Sequence, residues 1–587
     1  MKSTLTPMRA CIVAALSLML LSCGGGAAEK VDPAVKAGAE LAGFVEAYFN
    51  AYFTFSPSEA SSAGLHDPYD RQLEERTVGR IQARVTELKA QLQQLEAIRK
   101  QPLNASDGVD AALLASRVQG ELHDLDTLKV WRSPLYYAGI PGNSIDVIMK
   151  RSYDTPAGRL SSVTARLRQI TPLLDAMRDN FQDTPKEFLD LSVRILKGSI
   201  PFFQTNVAAW GQEAAGKDLQ ALSEFQQANR RAVGTLEVML EHLERNGQRM
   251  ATGKYAIGEA NFLAKLKYDE MVEIPLDKLL AIGQARLEQD HKAFIEVARQ
   301  VAPGRSPADA MAVLEAQHPT EASQMEYVKN TLEKVREFVV SKNIIPIPSE
   351  ERARVEATPP YARSGSFASM DTPGAYERQA REAFYYVTPP EKEWTAAHKE
   401  EHLKLYNKPV LDLINIHEAY PGHYTQFLYA KQFPTKVRKL ISASSNAEGW
   451  AHYAEQMMVE EGFGSGDAKI RLAQLAEALV RDARYVAGIR LHTAGWTVED
   501  ATKLFAEQAF MQRANAFEEA RRGTYNPTYL YYTLGKMQIY KLREDYKQAK
   551  GSAYSLTKFH EDFVKQGSIP VRLIRQILLP GNAGSDL

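Results

Sequence analysis

The sequence predicts a mainly α-helical fold with one small antiparallel β-sheet. Three observations carry this. Long stretches place apolar residues at alternating steps of three and four, the spacing of one helical face. Proline and glycine punctuate those stretches, as at Pro141-Gly142, Gly247 and Pro303-Gly304. Only near Asn343 does the texture change, to two short runs of strand-forming residues that each end at a proline pair. With 587 residues, 44% of them hydrophobic, the chain can bury a large core and has the length of roughly two to four domains. Its 71 Lys and Arg balance 72 Asp and Glu, so no net field draws it to nucleic acid, and none is expected as a partner.

In chain order, Lys2 and Arg9 precede an apolar run over 11–21 that is too short for a permanent membrane span and reads as an export signal. Its end, Leu20-Leu21-Ser22-Cys23 before three glycines, resembles the lipobox of bacterial lipoproteins. That resemblance implies a signal peptide over 1–22, lipidation of Cys23, a flexible tether over 23–34, and attachment to the cell envelope, with Gly24 favouring the outer membrane facing the periplasm. An ordinary secretory signal ending in cysteine is the alternative. Removal of Cys11 and lipidation of Cys23 leave no thiol for catalysis, disulfides or thiolate-zinc binding. No later segment reaches the roughly 18 consecutive apolar residues of a transmembrane helix.

Residues 35–343 form an N-terminal helical region expected to wall a cleft. Helices are predicted over 35–53, 71–100, 109–131, 157–181, 186–210, 221–245, 276–301 and 325–341. The second shows the pattern best, with Val78, Ile81, Val85, Leu88, Leu92 and Leu95 on one stripe. His66, His123, His242, His291 and His318 have no second ligand at helical spacing and read as architectural.

Residues 344–587 are the catalytic candidate. Strands over 353–358 and 383–388 are expected to pair antiparallel just before the His417 helix. There an edge strand can hold an extended peptide by backbone hydrogen bonds, or the pair can be a purely structural hairpin.

Chemistry concentrates in His417-Glu418-Ala419-Tyr420-Pro421-Gly422-His423. Two histidines beside a glutamate suit zinc, but the usual separation is four residues and here it is six. On a regular helix that means a turn of about 240° and a rise of about 9 Å, so the imidazoles cannot share an ion. Pro421-Gly422 is placed to break the helix and turn His423 back. Glu448, on a later helix, offers a carboxylate as third ligand and leaves a fourth position for water, the pattern of a catalytic site. The same glutamate could instead complete a capping box begun by Ser445. His452 and Glu455, one and two turns further on, read as groups that orient a ligand, with His452 the competitor for the third ligand position.

Together with His492-Thr493-Ala494-Gly495-Trp496-Thr497 and Tyr532-Thr533-Leu534-Gly535-Lys536, these motifs resemble the bacterial domain of unknown function 885 family, which is similar to zincin-type metallopeptidases of the gluzincin kind. The chain departs from the family pattern at His452, where an aliphatic residue is commoner. The resemblance implies a large helical zincin-like fold and one Zn2+ on His417, His423 and Glu448. It implies Glu418 as the base assisting attack of metal-bound water on a peptide bond. Tyr532, His492 and Arg522 are the candidates for the oxyanion donor, since such donors commonly come late in the chain. The expected partner is a short peptide, the expected protein an exported lipid-anchored peptidase. The alternatives are a noncatalytic peptide-binding lipoprotein and a zinc amidase.

Overall fold

A computed structural model of the protein describes residues 32–363, 367–581 and 587. Cys23, the signal and the tether up to residue 31 lie outside the described residues. The fold is mainly helical, with one small sheet. Its first helix, Pro33–Phe55, starts at proline with the Asp32 carboxylate accepting from the Ala34 amide, and so takes in the last two positions assigned to the tether.

The helices follow the apolar periodicity and end where local chemistry dictates. The stripe from Val78 forms Val78–Arg99, but the helix does not begin at 71, because the Thr77 hydroxyl caps it by accepting from the Arg80 amide at 3.3 Å. The stretch predicted over 157–181 divides into Pro156–Leu167 and Ile170–Asn180. Leu276–Val301 and Gln324–Ser341 match the expected ranges to within a residue. Buried apolar side chains between Tyr137 and Leu243 pack with Leu73, Tyr361 and Ala380 into one core, whereas most of those from Leu41 to Leu125 share a second core with residues from Leu287 to Leu579. No helix among the described residues is long and apolar enough to cross a membrane.

The sheet corrects the expected antiparallel pair. Strand β1 (Arg354–Ala357) runs parallel to β3 (Phe384–Val387), with Arg354 opposite Phe384. Between them in sequence lies β2 (Ala368–Asp371), antiparallel to β3 on its other side, so the order is β1-β3-β2. All four β3 residues are buried, which suits a central strand, and the long link from Ala357 provides the crossover that parallel pairing needs.

Six C-terminal helices build the surroundings of the candidate site: α1 (Lys408–Glu418), α2 (His423–Leu428), α3 (Ser444–Glu460), α4 (Ala468–Thr493), α5 (Arg513–Tyr525) and α6 (Tyr531–Lys550). Helices α3 and α6 cross with their backbones touching. A Cβ on Gly535 would stand 1.7 Å from the Ser445 carbonyl oxygen, and one on Gly449 2.6 Å from the Gly535 Cα. This close crossing brings Glu448, next to Gly449, and Tyr532, one turn before Gly535, to the same cleft.

Candidate metal centre

Helix α1 is started by the Asn407 side chain, which accepts from the Val410 amide at 3.2 Å, and carries His417 and Glu418 in its last turn. It stops at once. Ala419 leaves helical dihedrals, the Tyr420–Pro421 peptide is cis, and Gly422 takes φ −66° and ψ −136° before α2 restarts at His423. The Gly422 amide donates to the Ile416 carbonyl at 3.1 Å, and the indole N–H of buried Trp450 donates to the Pro421 carbonyl at 2.9 Å. A Cβ at 422 would lie 1.9 Å from the His417 carbonyl oxygen, so glycine alone fits this turn.

The break folds His423 back onto His417. Their rings are 4.9 Å apart and nearly perpendicular, at 89°. One carboxylate oxygen of Glu448, Oε2, lies 3.5 Å from His417 Nε2 and 3.4 Å from His423 Nε2. All three potential ligand atoms fall within 4.8 Å of one another. Ligands on a tetrahedral ion with bonds of about 2.1 Å sit roughly 3.4 Å apart, so two imidazoles and a carboxylate at this spacing fit zinc. Glu448 is not the helix cap. The cap position of α3 is Ala443, and the orphan amide of Ser445 donates instead to the carboxylate of Glu270, at 2.9 Å, from the N-terminal half of the chain.

Behind His417 stands Glu455. Its Oε1 is 2.6 Å from His417 Nδ1 and its Oε2 3.3 Å from His452 Nδ1, while Arg481 Nη2 approaches at 3.4 Å. The pairing with Glu455 turns His417 Nε2 toward Glu448 and leaves it able to serve as a ligand atom. His452 is fully buried next to Glu455 and is not one of the three converging groups. Burial works against charge on His417, but the hydrogen bonds to Glu448 and Glu455 outweigh it and push its pKa up to about 9. Burial also opposes ionisation of Glu448, yet the two histidines hold it well below the ordinary carboxylate range. The trio thus favours a positive charge at its centre. Burial pushes Glu418 up, against the pull of His423 and His417, which suits a carboxylate that takes and returns a proton.

These residues open on a cavity of about 470 Å³. Glu418, His417, His423, Glu448, Tyr532 and Arg522 all line it. Tyr532 stands 6.4 Å ring to ring from His417, and its hydroxyl accepts from Arg522 Nη2 at 3.1 Å. His492 is elsewhere. Buried among Tyr255 and Phe262, it spends Nε2 on the Gly523 carbonyl at 2.7 Å and does not line the cleft, so its place is structural and not that of an oxyanion donor.

Sequence reasoning missed several cleft residues. Phe367 to Met370, most of β2, line one side, and Arg481 and Arg484 of α4 line another. A second cavity, about 560 Å³, lies among residues such as Tyr52, Glu74, Arg117 and Lys265, and no histidine lines it.

A family profile described as a bacterial protein of unknown function, DUF885, matches residues 57–578. Two solved structures resemble the whole fold. One is a candidate lipoprotein of unknown function from Shewanella oneidensis, 26% identical, with a TM-score of 0.74 over 92% of this chain and 99% of that one. The other is a candidate lipoprotein from Colwellia psychrerythraea, 18% identical, with a TM-score of 0.78 over 92% and 98%, a likeness of fold alone. No curated protein matches the chain.

Proposed function

The chain belongs to the DUF885 family of bacterial proteins of unknown function, and we propose that it is an exported, lipid-anchored zinc peptidase of zincin-like architecture that hydrolyses short peptides. The observation that carries the reading is the convergence of His417, His423 and Glu448 at ligand spacing, with Glu418 lining the same cleft.

Those three side chains would hold zinc, which would supply Lewis acidity toward a carbonyl and lower the pKa of water. Glu418 receives the proton that the attacking water loses and returns it to the leaving nitrogen. Tyr532 accepts from Arg522, so its own hydroxyl hydrogen is available to the oxyanion. Strand β2 is at the edge of the sheet and lines the cleft, which suits an extended peptide that adds to the sheet. The description of the similar chains as candidate lipoproteins supports attachment to the envelope through Cys23.

Bound metal and hydrolysis of a mixed peptide library, measured for the wild type and Glu418→Gln, test this. About one zinc per chain is expected in both, with hydrolysis reduced on the order of 10²- to 10⁴-fold in the variant. Absence of metal from both proteins while peptides still bind would make this a binding protein and not an enzyme.

A further inference from the structure

We propose that Arg522 anchors the free C-terminal carboxylate of the peptide, which makes the protein an exopeptidase working from the C-terminus. This rests on the peptidase reading above and adds the substrate class.

Three guanidinium groups surround Tyr532, with their central carbons 5.0 to 6.0 Å from its ring. Two are already matched. Arg484 makes a two-point pair with Glu519, at 2.7 and 2.8 Å, and Arg481 pairs with Glu477 and lies 3.4 Å from Glu455. Arg522 differs. Its one hydrogen bond among the described residues is to the neutral Tyr532 hydroxyl, and no carboxylate there comes within 4.0 Å of it, although it lines the cavity that holds His417, His423 and Glu448. Glu519 and Glu448 favour its charge only through space, without contact, so its planar fork of donors is left to match an incoming carboxylate at two points.

Position fits the same ligand. Tyr532 touches Arg522 on one side and stacks toward His417 on the other. An extended chain advances about 3.3 Å per residue, so a carboxylate on Arg522 brings the last one or two peptide bonds of the substrate beside the histidines. Hydrolysis breaks the C–N bond there. Water gives its OH to the acyl carbon and its proton to the departing nitrogen, releasing one or two residues and leaving a new carboxylate on the shortened peptide. That carboxylate can occupy Arg522 in turn, so trimming is stepwise.

Peptides of one sequence, ending as free acid or as amide, provide the test. Binding is measured by fluorescence anisotropy on metal-free Glu418→Gln protein, and cleavage by mass spectrometry on zinc-loaded wild type. The acid is expected to bind about tenfold or more tighter than the amide and to be cut within two residues of its end. Arg522→Gln is expected to bring the acid-to-amide ratio near one, and Arg522→Lys to restore part of it, in variants whose melting shows them folded. Equal binding of acid and amide by the Glu418→Gln protein with equal cleavage by the wild type, or internal cuts in the amide, overturns the anchor and leaves the peptidase standing. Preference for the acid with no cleavage of either supports the anchor and overturns the peptidase.

Discussion

Glu455 does for His417 what no described group does for His423. It fixes the imidazole through Nδ1 at 2.6 Å, whereas His423 Nδ1 has no hydrogen-bond partner among the described residues. The sequence places Glu448, His452 and Glu455 on one helical face and ranks Glu448 as the ligand ahead of the other two, with His452 left as its competitor. Depth separates them: seven residues of helix span about 10 Å, so Glu448 sits at the cleft while Glu455 reaches the far side of the same imidazole. His452 lies at the intermediate level and shares Glu455, which explains why its position is fully buried and why a ligand role for it was a plausible reading of spacing alone. Groups of this kind set ring orientation and ligand basicity. Glu455→Gln is therefore expected to weaken zinc binding about 10- to 100-fold, read by competition with a chromogenic chelator. An unchanged affinity would show that Glu455 serves packing and not the metal site.

At the scale of elements, the helix break between α1 and α2 was legible because covalent geometry demanded it. Six residues of regular helix cannot bring His417 and His423 together, and Pro421-Gly422 was the one device in reach. The long amphipathic helices were legible for a similar reason, since burial of one face imposes the period. Strand β2 was not. Its four residues, Ala368-Ser369-Met370-Asp371, are all half-buried and show no alternation, so no period marks them as a strand before β3 is in place to pair with them. Of the arginines around Tyr532, Arg481 and Arg484 were missed, because charged residues on a buried helix face become visible only with their partners in place. Gly422→Ala tests the break directly. The added Cβ meets the His417 carbonyl, and relief requires moving the backbone that carries the ligand. The expected cost is about 2 kcal/mol or more of stability with zinc affinity reduced at the same time, read by thermal melting with and without zinc. A variant that melts and binds zinc like the wild type would show that the turn relaxes elsewhere.

At the scale of the whole molecule, the N-terminal helices hold the cleft-lining strand in place, and one junction makes that hold pH-dependent. Asp371, at the end of β2, pairs with Lys150 and Arg151. The segment after it is fastened by His66, whose ring nitrogens lie 3.0 Å from Asp70 and 2.9 Å from Glu377, stacked 3.6 Å from the Tyr153 ring. The Tyr376 amide adds a bond to the Ala63 carbonyl at 2.9 Å. Burial disfavours the charged ring, but Asp70 and Glu377 outweigh it and raise His66 to about 9. Glu377, which burial alone would raise, is held down to about 2 by His66 and by the amides of Gln379 and Ala380. The signs follow from linkage. A raised histidine stabilises fully below its unfolded pKa of about 6.5 and loses that contribution as pH climbs through 9. A depressed glutamate stabilises above about 4.5 and loses its contribution as pH falls toward 2. Both act together between about 4.5 and 6.5. The stability difference between the wild type and His66→Gln is therefore expected to be greatest near pH 6, roughly 2 kcal/mol after allowing for the partly open ring, and to shrink steadily by pH 9. Melting temperatures of the two proteins across pH 5 to 9 measure it. A gap that stays constant over that range would mean that the ring contributes by packing on Tyr153 and not by charge.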